Sequence, residues 1–273
     1  MLYFAIFCLF RRSFLEKYVN LLQALRFFAI LAERKTTNIK HILMTLKEAI
    51  EQRHSVRKYI HKPLTDEVVD ALQKKIDECN AQGDLHIQLV TNEKKAFTGI
   101  FSYGKFAGVE NYLVMVGKKA DDMDERIGYY GEQLVLLAQT LGLNTCWAGL
   151  SYRKVNGAYC LATDEKIVCM IALGYGTTQG VKHKTKTKEQ VSNVDNDSPQ
   201  WFRQGVEAAL MAPTAINQQK FYFELLPHEN GATPRQKVRA KRGFSMVGYT
   251  KIDLGIAKLH FEIGAGKDNF CWA

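Results

Sequence analysis

Two arginines and one serine stand at alternate positions in the segment Arg53-His54-Ser55-Val56-Arg57. Guanidinium groups make bidentate hydrogen bonds to phosphate, and the hydroxyl of Ser55 can add another. On a helical turn Arg53 and Arg57 share a face, whereas on an extended segment all three side chains point the same way. Either conformation predicts an anion site, and the alternative is a solvated, charged helix end.

A second group of polar residues follows a predicted helix, in the segment from Met211 to Gln219. The chain turns at Pro213, next to Thr214, and places Asn217 and Gln218 just before a predicted strand. Amide side chains beside backbone donors suit the carbonyl and N–H edge of a heteroaromatic ring. The alternative is simple helix termination by a turn-forming asparagine.

A third candidate follows the apolar strand predicted to end at Gly174. The glycine-rich turn there precedes a basic run with Lys182, Lys184 and Lys186, which is usually a solvated loop but here could hold a phosphate. Common phosphate motifs are missing from the sequence, because no Gly-x-Gly-x-x-Gly follows a strand and residues 261–268 fail the P-loop pattern. The seven histidines have no metal-ligand spacing, so no metal is predicted.

The positive charge of the chain is concentrated at its start. The formal net charge is +9. Residues 1–43 carry seven Lys or Arg and two Asp or Glu, which leaves +4 for the rest. This distribution argues against nucleic acid as a partner, and a modest positive field suits an anionic cofactor. The six cysteines are widely spaced, which predicts reduced thiols in a cytoplasmic protein.

Residues 1–43 differ in character from the remainder. The apolar run over 1–10 is shorter than the ~20 residues of a membrane span, and its basic residues lie on the wrong side for a signal peptide. Thr45 and Glu48 form a capping-box pattern that opens a helix directly after Met44. We therefore favour a disordered extension or a start at Met44, with no stable membrane association. An amphipathic membrane-binding helix is the alternative.

Helical and strand patterns alternate from Met44 onward, which predicts an α+β fold with mixed or antiparallel sheets flanked by helices. A polar segment over 192–199 is typical of a linker and divides the chain into regions 44–191 and 200–273. Helices are predicted over 45–52, 63–80, 129–141, 201–211 and 249–263, and strands over 85–91, 111–117, 166–174 and 220–226.

The last five residues repeat an earlier pentapeptide. Asn269-Phe270-Cys271-Trp272-Ala273 matches Asn144-Thr145-Cys146-Trp147-Ala148 at four of five positions, 125 residues later (269 − 144). Each copy follows a predicted helix. We interpret this as an internal duplication whose second copy is shorter, and the alternative is coincidence.

Taken together, these segments resemble the flavin nitroreductase superfamily, in particular its single-chain branch with two subdomains. Arg53–Arg57 matches the R-x-S-x-R/K motif, and 212–219 matches A-P-S-x-N-x-Q-P with Thr214 in place of Ser. Gly142–Trp147 matches G-L-G/N-T-x-W, and Gly174 belongs to the L-G-Y strand motif. The resemblance covers about 44–273 and implies an FMN-dependent oxidoreductase.

The resemblance also implies which residues would bind FMN. Backbone N–H groups of Ala148 and Gly149 would approach flavin N5, and the basic run would contribute to the phosphate site. Tyr103 and Lys105 could line the substrate pocket. No catalytic acid or base is assigned, because the flavin carries the chemistry. The implied cofactor-binding residues are Arg53, His54, Ser55, Arg57, Ala148, Gly149, Gly174, Lys182, Lys184, Lys186, Pro213, Thr214, Asn217 and Gln218.

The amide-bearing motif departs from the family pattern in its position. It stands 155 residues after the arginine string (212 − 57), whereas in ordinary, homodimeric members it follows soon after. This spacing implies fused copies that each kept part of one site, which predicts one FMN per monomeric chain, with a homodimer as the alternative. The implied activity is NAD(P)H-dependent reduction of a small electron-poor acceptor such as a nitroaromatic or quinone. The alternative is a flavin-storage protein without turnover.

Overall fold

The computed structural model describes residues 44–99, 105–227 and 235–273. Thr45–Ala273 forms one compact unit, which begins where the character of the sequence changes. Tyr103 and residues 1–43, with Cys8, lie outside the described residues, and what was predicted for them stays a prediction. The five described cysteines are free thiols. No helix in the described ranges is both long and apolar enough to cross a membrane.

Helix α1 spans Leu46–Gln52 and starts with the predicted capping box. Oγ1 of Thr45 accepts a hydrogen bond from the Glu48 N–H at 3.2 Å, and the Glu48 carboxylate accepts one from the Thr45 N–H at 2.7 Å. Such bonds satisfy backbone N–H groups that a helix start leaves unpaired. At its other end the helix delivers Arg53, where the backbone becomes extended.

The later elements follow the predicted order, with differences at their ends. Helix α3 begins at Met123, ahead of the predicted start at 129, because Met123 and Ile127 continue its buried face. The other elements are α2 (Asp66–Gly83), β1 (Gln88–Val90), β2 (Asn111–Lys118), α3 (Met123–Thr140), β3 (Asn144–Ala148), β4 (Glu165–Gly174), α4 (Lys188–Val191), α5 (Gln200–Leu210), β5 (Phe221–Leu225), β6 (Gln236–Arg242), α6 (Thr250–Ala265) and β7 (Phe270–Trp272).

The strands form two sheets. The first has the order β1-β2-β4-β3 with antiparallel neighbours, and the second has β6 between antiparallel β5 and parallel β7. The predicted α+β class with mixed and antiparallel sheets is therefore confirmed. Strand β6 was not predicted, because its sequence Gln-Lys-Val-Arg-Ala-Lys-Arg is too polar to signal a central strand.

The core lies between the two sheets, around the central helices α3 and α6. These helices approach so closely that a Cβ on Gly128 would overlap the carbonyl oxygen of Ile252, and one on Gly255 would overlap that of Glu125. A smaller apolar cluster covers the other face of the first sheet and includes Val56, Tyr59 and Tyr112. The segment after α1 is thereby fixed to the sheet.

The segment predicted as a linker is hydrogen-bonded to the second sheet. Ser192 pairs with Phe223 of β5, and the Asn193 side chain donates to the carbonyl of Leu225 at 3.0 Å. Further on, Ser198 donates to the carboxylate of Asp195 at 2.7 Å. The division of Thr45–Ala273 into two subdomains at this segment stays a prediction.

Candidate functional site

The segment from Arg53 to Arg57 is extended, which selects one of the two conformations that the sequence left open. Ser55 pairs with Thr145 of β3, and the Val56 N–H donates to the Thr145 carbonyl at 3.0 Å. Alternation along the extended chain buries Val56 and sends Ser55 and Arg57 to the opposite side. Both of these side chains line a cavity, whereas Arg53 is buried beside it.

The cavity has a volume of about 420 Å³, which lies in the range of small-molecule and cofactor sites. Its wall combines segments from both ends of the chain: the arginine string, the residues after β3, the turn after α5 and the start of α6. Residues with apolar side chains predominate, and the charged groups are few. Among its lining residues are Ser55, Arg57, Lys105, Trp147, Gly149, Leu150, Pro213, Thr214, Ala215, Ile216, Tyr249, Ile252, Asp253 and Ile256.

The turn after α5 presents its backbone, Pro213 and Thr214 to the cavity, not its amide side chains. The amide nitrogen of Asn217 donates to the carbonyl of Lys184 at 2.8 Å, and that of Gln218 donates to Asp253 at 2.6 Å. Neither Asn217 nor Gln218 is among the lining residues. The side chains of these two predicted site residues therefore stabilise the turn through hydrogen bonds to other segments and do not line the cavity.

The three lysines of the basic run occupy different places. Lys182 lines a second, small pocket together with Arg53 and His54. Lys186 is half-buried and donates to the carbonyl of Gln219 at 2.7 Å. Burial lowers the pKa of Lys186. Lys184 and Lys186 are thus joined to the turn after α5, and only Lys182 lies beside Arg53.

The glycines and alanine of the predicted site also separate. Gly149 lines the cavity, and a Cβ there would come within 2.6 Å of the Tyr249 ring, so only glycine fits without a shift of that ring. Ala148 is buried at the end of β3, and Gly174 is buried at the end of β4. Of the three, only Gly149 lies in the cavity wall.

Asp253 lines the cavity, and the sequence analysis did not identify it. It is 2 % exposed, and its carboxylate accepts hydrogen bonds from the Ala215 N–H at 2.9 Å and the Gln218 side chain at 2.6 Å. Burial raises the pKa of Asp253 to about 6. One signal was present, because Asp253 is an acidic residue next to the apolar residues Ile252 and Leu254 near the start of helix α6.

A buried charge cluster behind the cavity was also missed. Glu132, in the middle of α3, is fully buried and accepts hydrogen bonds from Nε1–H of Trp147 at 2.9 Å and from the ring of His260 at 2.9 Å. Nε of Arg53 lies 3.7 Å from the same carboxylate. A charged residue inside an apolar helix was the available signal.

The surroundings of Arg53 are positively charged. Burial, and next the charge of Arg53, lower the pKa of His54. Burial likewise lowers the pKa of His183, with Arg53, His260 and Lys182 acting in the same direction. In the cavity, Arg57 is exposed and forms no ion pair within the described chain. Cationic groups therefore lie both at one end of the cavity and behind it.

Comparison with known proteins identifies the family. The family described as "Putative TM nitroreductase" matches residues 45–265. A nitroreductase structure from Thermotoga maritima is 23% identical, with a TM-score of 0.53, and 82% of this chain aligns with 85% of that one. A nitroreductase from Desulfovibrio desulfuricans in complex with FMN is 16% identical, with a TM-score of 0.45 over 57% of this chain and 99% of that one. No curated protein matches the chain. The protein belongs to this nitroreductase family, which it matches over residues 45–265.

Proposed function

We propose that the chain binds one FMN and uses NAD(P)H to reduce a small electron-poor acceptor such as a nitroaromatic or a quinone. The observation that carries this proposal is the composite cavity. Ser55 and Arg57 come from near the start of the folded unit, and Pro213, Thr214 and Tyr249 come from its last third. These separate segments meet around one cavity of suitable size, in a chain of this family.

The residues present fit a flavin phosphate at one end and a planar ring at the other. Arg53 is 3 % exposed, yet its Nε has no hydrogen-bond partner within the described chain, as expected for a buried cation that serves an anion. Lys182 and His54 flank Arg53. Ser55, two residues along the extended segment from Arg53, lines the larger cavity.

The larger cavity would hold the ring between apolar walls. Gly149 allows the backbone after β3 to approach closely, and Arg57 supplies an unpaired cation. When bound, FMN would supply the chemistry for hydride transfer from a nicotinamide donor to the acceptor. The protein's part is to bind and orient the cofactor and to hold a positive charge beside the ring.

The proposal changes the role predicted for Asn217 and Gln218. Their amide nitrogens donate to Lys184 and Asp253, so we assign these two residues the task of shaping the turn that contacts the ring. Pro213 and Thr214 then form the contacting surface. We propose one site per monomeric chain, because the cavity wall combines motif residues from both ends of the same chain.

Retention of flavin tests the proposal. Protein that starts at Met44 should purify yellow, with one FMN per chain, because the lining residues in the described ranges all follow Met44. The pair Arg53→Ala and Arg57→Ala should weaken FMN binding by roughly a hundredfold or more, since two charge-assisted contacts are lost. Circular dichroism should remain native.

Matched substitutions on β6 serve as the control. Arg239→Ala with Arg242→Ala removes the same charge from an exposed strand and should leave FMN binding unchanged. Colourless native protein that takes up no added FMN would contradict the proposal. A yellow protein that does not oxidise NADH or NADPH in the presence of a nitroaromatic or quinone would favour flavin storage.

A further inference from the structure

Arg53 is a buried cation whose one acidic partner within ion-pair distance, in the described part of the chain, is Glu132. Its side chain is 3 % exposed, and its Nε has no hydrogen-bond partner in the described part of the chain. The carboxylate of Glu132 is 3.7 Å from Nε, which is an ion contact but too long for a hydrogen bond. A charge in such a place is costly unless something neutralises it.

Glu132 is already engaged by another residue. Nε2 of His260 lies 2.9 Å from Oε1 of Glu132, and Nε1–H of Trp147 donates to Oε2 at 2.9 Å. Both Glu132 and His260 are fully buried. Both oxygens of the Glu132 carboxylate therefore already have a hydrogen-bond partner other than Arg53.

The hydrogen bonds of His260 determine the charge of this pair. Nδ1 faces the carbonyl oxygen of Ala208 at 3.2 Å, which can only accept, and Nε2 faces Glu132. A neutral imidazole has only one N–H. Both contacts are satisfied when one further proton is shared between His260 and Glu132. In that arrangement the pair is neutral as a whole, whichever partner holds that proton.

The neutral pair leaves the charge of Arg53 uncompensated. The groups around the small pocket do not cancel it, because His54, Lys182 and His183 are basic and the one acidic residue, Glu51, is exposed. Arg53 already lies 3.7 Å from Glu132, so without His260 the full negative charge of that carboxylate would be available to compensate Arg53.

We infer that His260 is a positioning residue that neutralises Glu132 and so keeps Arg53 free to bind the phosphate of the cofactor. This inference rests on the proposed FMN site. It assigns a role to a residue on the last helix of the chain, far in sequence from the arginine string. His260 itself does not touch the cofactor and acts only through Glu132.

Comparison of FMN with riboflavin isolates the phosphate, because riboflavin has the same ring and lacks that group. In His260→Gln, Glu132 can capture Arg53, so FMN should bind about tenfold more weakly or worse, while riboflavin binding changes less than about twofold. Adding Glu132→Gln to that variant removes the capturing charge. FMN affinity should then return to within about threefold of native.

A second buried carboxylate provides a matched control. Glu262 accepts from Nε1–H of Trp272 at 2.7 Å and lies on the same helix as His260, but it does not contact Arg53. Glu262→Gln should leave the ratio of FMN to riboflavin affinity unchanged. A merely structural role for His260 would weaken both flavins together and would not be rescued by Glu132→Gln, and either result would overturn the inference.

Two further measurements decide the remaining cases. If His260→Gln does not fold, Glu132→Gln alone should keep or tighten FMN binding, and a selective loss of FMN would overturn the inference. If the native chain binds neither flavin, the proposed function fails, and inorganic phosphate becomes the probe. Phosphate should then raise the melting temperature of native protein and of the double variant but not of His260→Gln. Any other pattern contradicts the role of His260.

Discussion

Helix α3 with strand β3 and helix α6 with strand β7 form two comparable regions of the molecule. Each helix lies in the core, and each is followed by a strand that carries the repeated Asn-x-Cys-Trp-Ala sequence. In both regions the tryptophan donates its indole N–H to a glutamate on the preceding helix. Trp147 donates to Glu132, and Trp272 donates to Glu262.

The packing of the two helices is reciprocal. Gly128 of α3 lies against the backbone of Ile252, and Gly255 of α6 lies against the backbone of Glu125. Helices that end at Thr140 and Ala265 also end 125 residues apart (265 − 140), which is the offset of the repeat. These observations support the proposed internal duplication.

The buried charges, in contrast, do not repeat. At an offset of 125, Glu132 corresponds to Ala257, and Asp253 corresponds to Gly128. Glu132 is fully buried beside Arg53, whereas Glu262 is 8 % exposed and pairs with the exposed Lys267 at 3.5 Å. The two regions therefore share close helix packing, but their buried charged residues stand at different positions.

Alanine at either central glycine should have the largest effect. A Cβ at Gly128 or Gly255 would overlap a backbone carbonyl of the other helix, so the helices must separate. We expect each variant to lose about 3 kcal/mol of unfolding free energy, although alanine normally stabilises a helix. Urea denaturation measures the free energy of unfolding, and Asp70→Ala, at an exposed position of α2, is the control. A marked difference between the two glycine variants would break the packing half of the comparison.

Ionisation of Asp253 should make the free energy of unfolding depend on pH. The corresponding residue of α3, Gly128, has no side chain that could do so. The pKa of Asp253 is raised from 3.8 to about 6 in the folded state. The folded state therefore holds this proton more tightly than the unfolded state does. The protonated carboxyl of Asp253 therefore stabilises the folded protein below about pH 4. This stabilisation weakens between about pH 4 and 6 and is fully lost above that range.

The change corresponds to roughly 2 to 3 kcal/mol. Asp253→Asn keeps an acceptor for the Ala215 N–H but cannot ionise, so its unfolding free energy should fall less between pH 4 and 7 than that of the native protein. Urea denaturation at both pH values provides the measurement. Equal falls in the two proteins would show that Asp253 ionises normally.

Removal of each indole N–H should give the smallest effect and the most direct contrast between the regions. Trp147→Phe leaves a fully buried carboxylate oxygen without its donor and should cost about 2 kcal/mol. Trp272→Phe should cost about 1 kcal/mol, because Glu262 is 8 % exposed and water can reach its carboxylate more easily than that of Glu132. Thermal and urea unfolding measure both. A larger loss in Trp272→Phe would reverse the comparison.

Sequence patterns predicted most of the regular elements. The capping box at Thr45 marks the start of α1, and apolar runs mark β2 and β4 within a residue of their observed ends. Local patterns failed for β6, because its polar residues become strand only by pairing with β5 and β7. The short strand β1 was predicted too long, since Leu85 pairs only as an isolated bridge with Gly117.

The candidate site was predictable in part. Motif residues Ser55, Arg57, Gly149, Pro213 and Thr214 line the cavity. The motif spacing could not distinguish side chains that face the cavity from those that support it, as Asn217 and Gln218 do. That distinction depends on the left-handed backbone at Ile216 and Asn217, which turns the amides toward protein partners.

The sequence by itself determined the family, most of the helices and strands and the segments that carry the candidate site, because these depend on local patterns and motifs. Only the tertiary structure decided that Asp253 lines the cavity and that His260 meets Glu132 beside Arg53. Asp253 and His260 come from helix α6, and no local pattern relates them to the arginine string. Burial and hydrogen-bond geometry, which arise only when distant segments pack together, give these ordinary residue types their charge states and their partners.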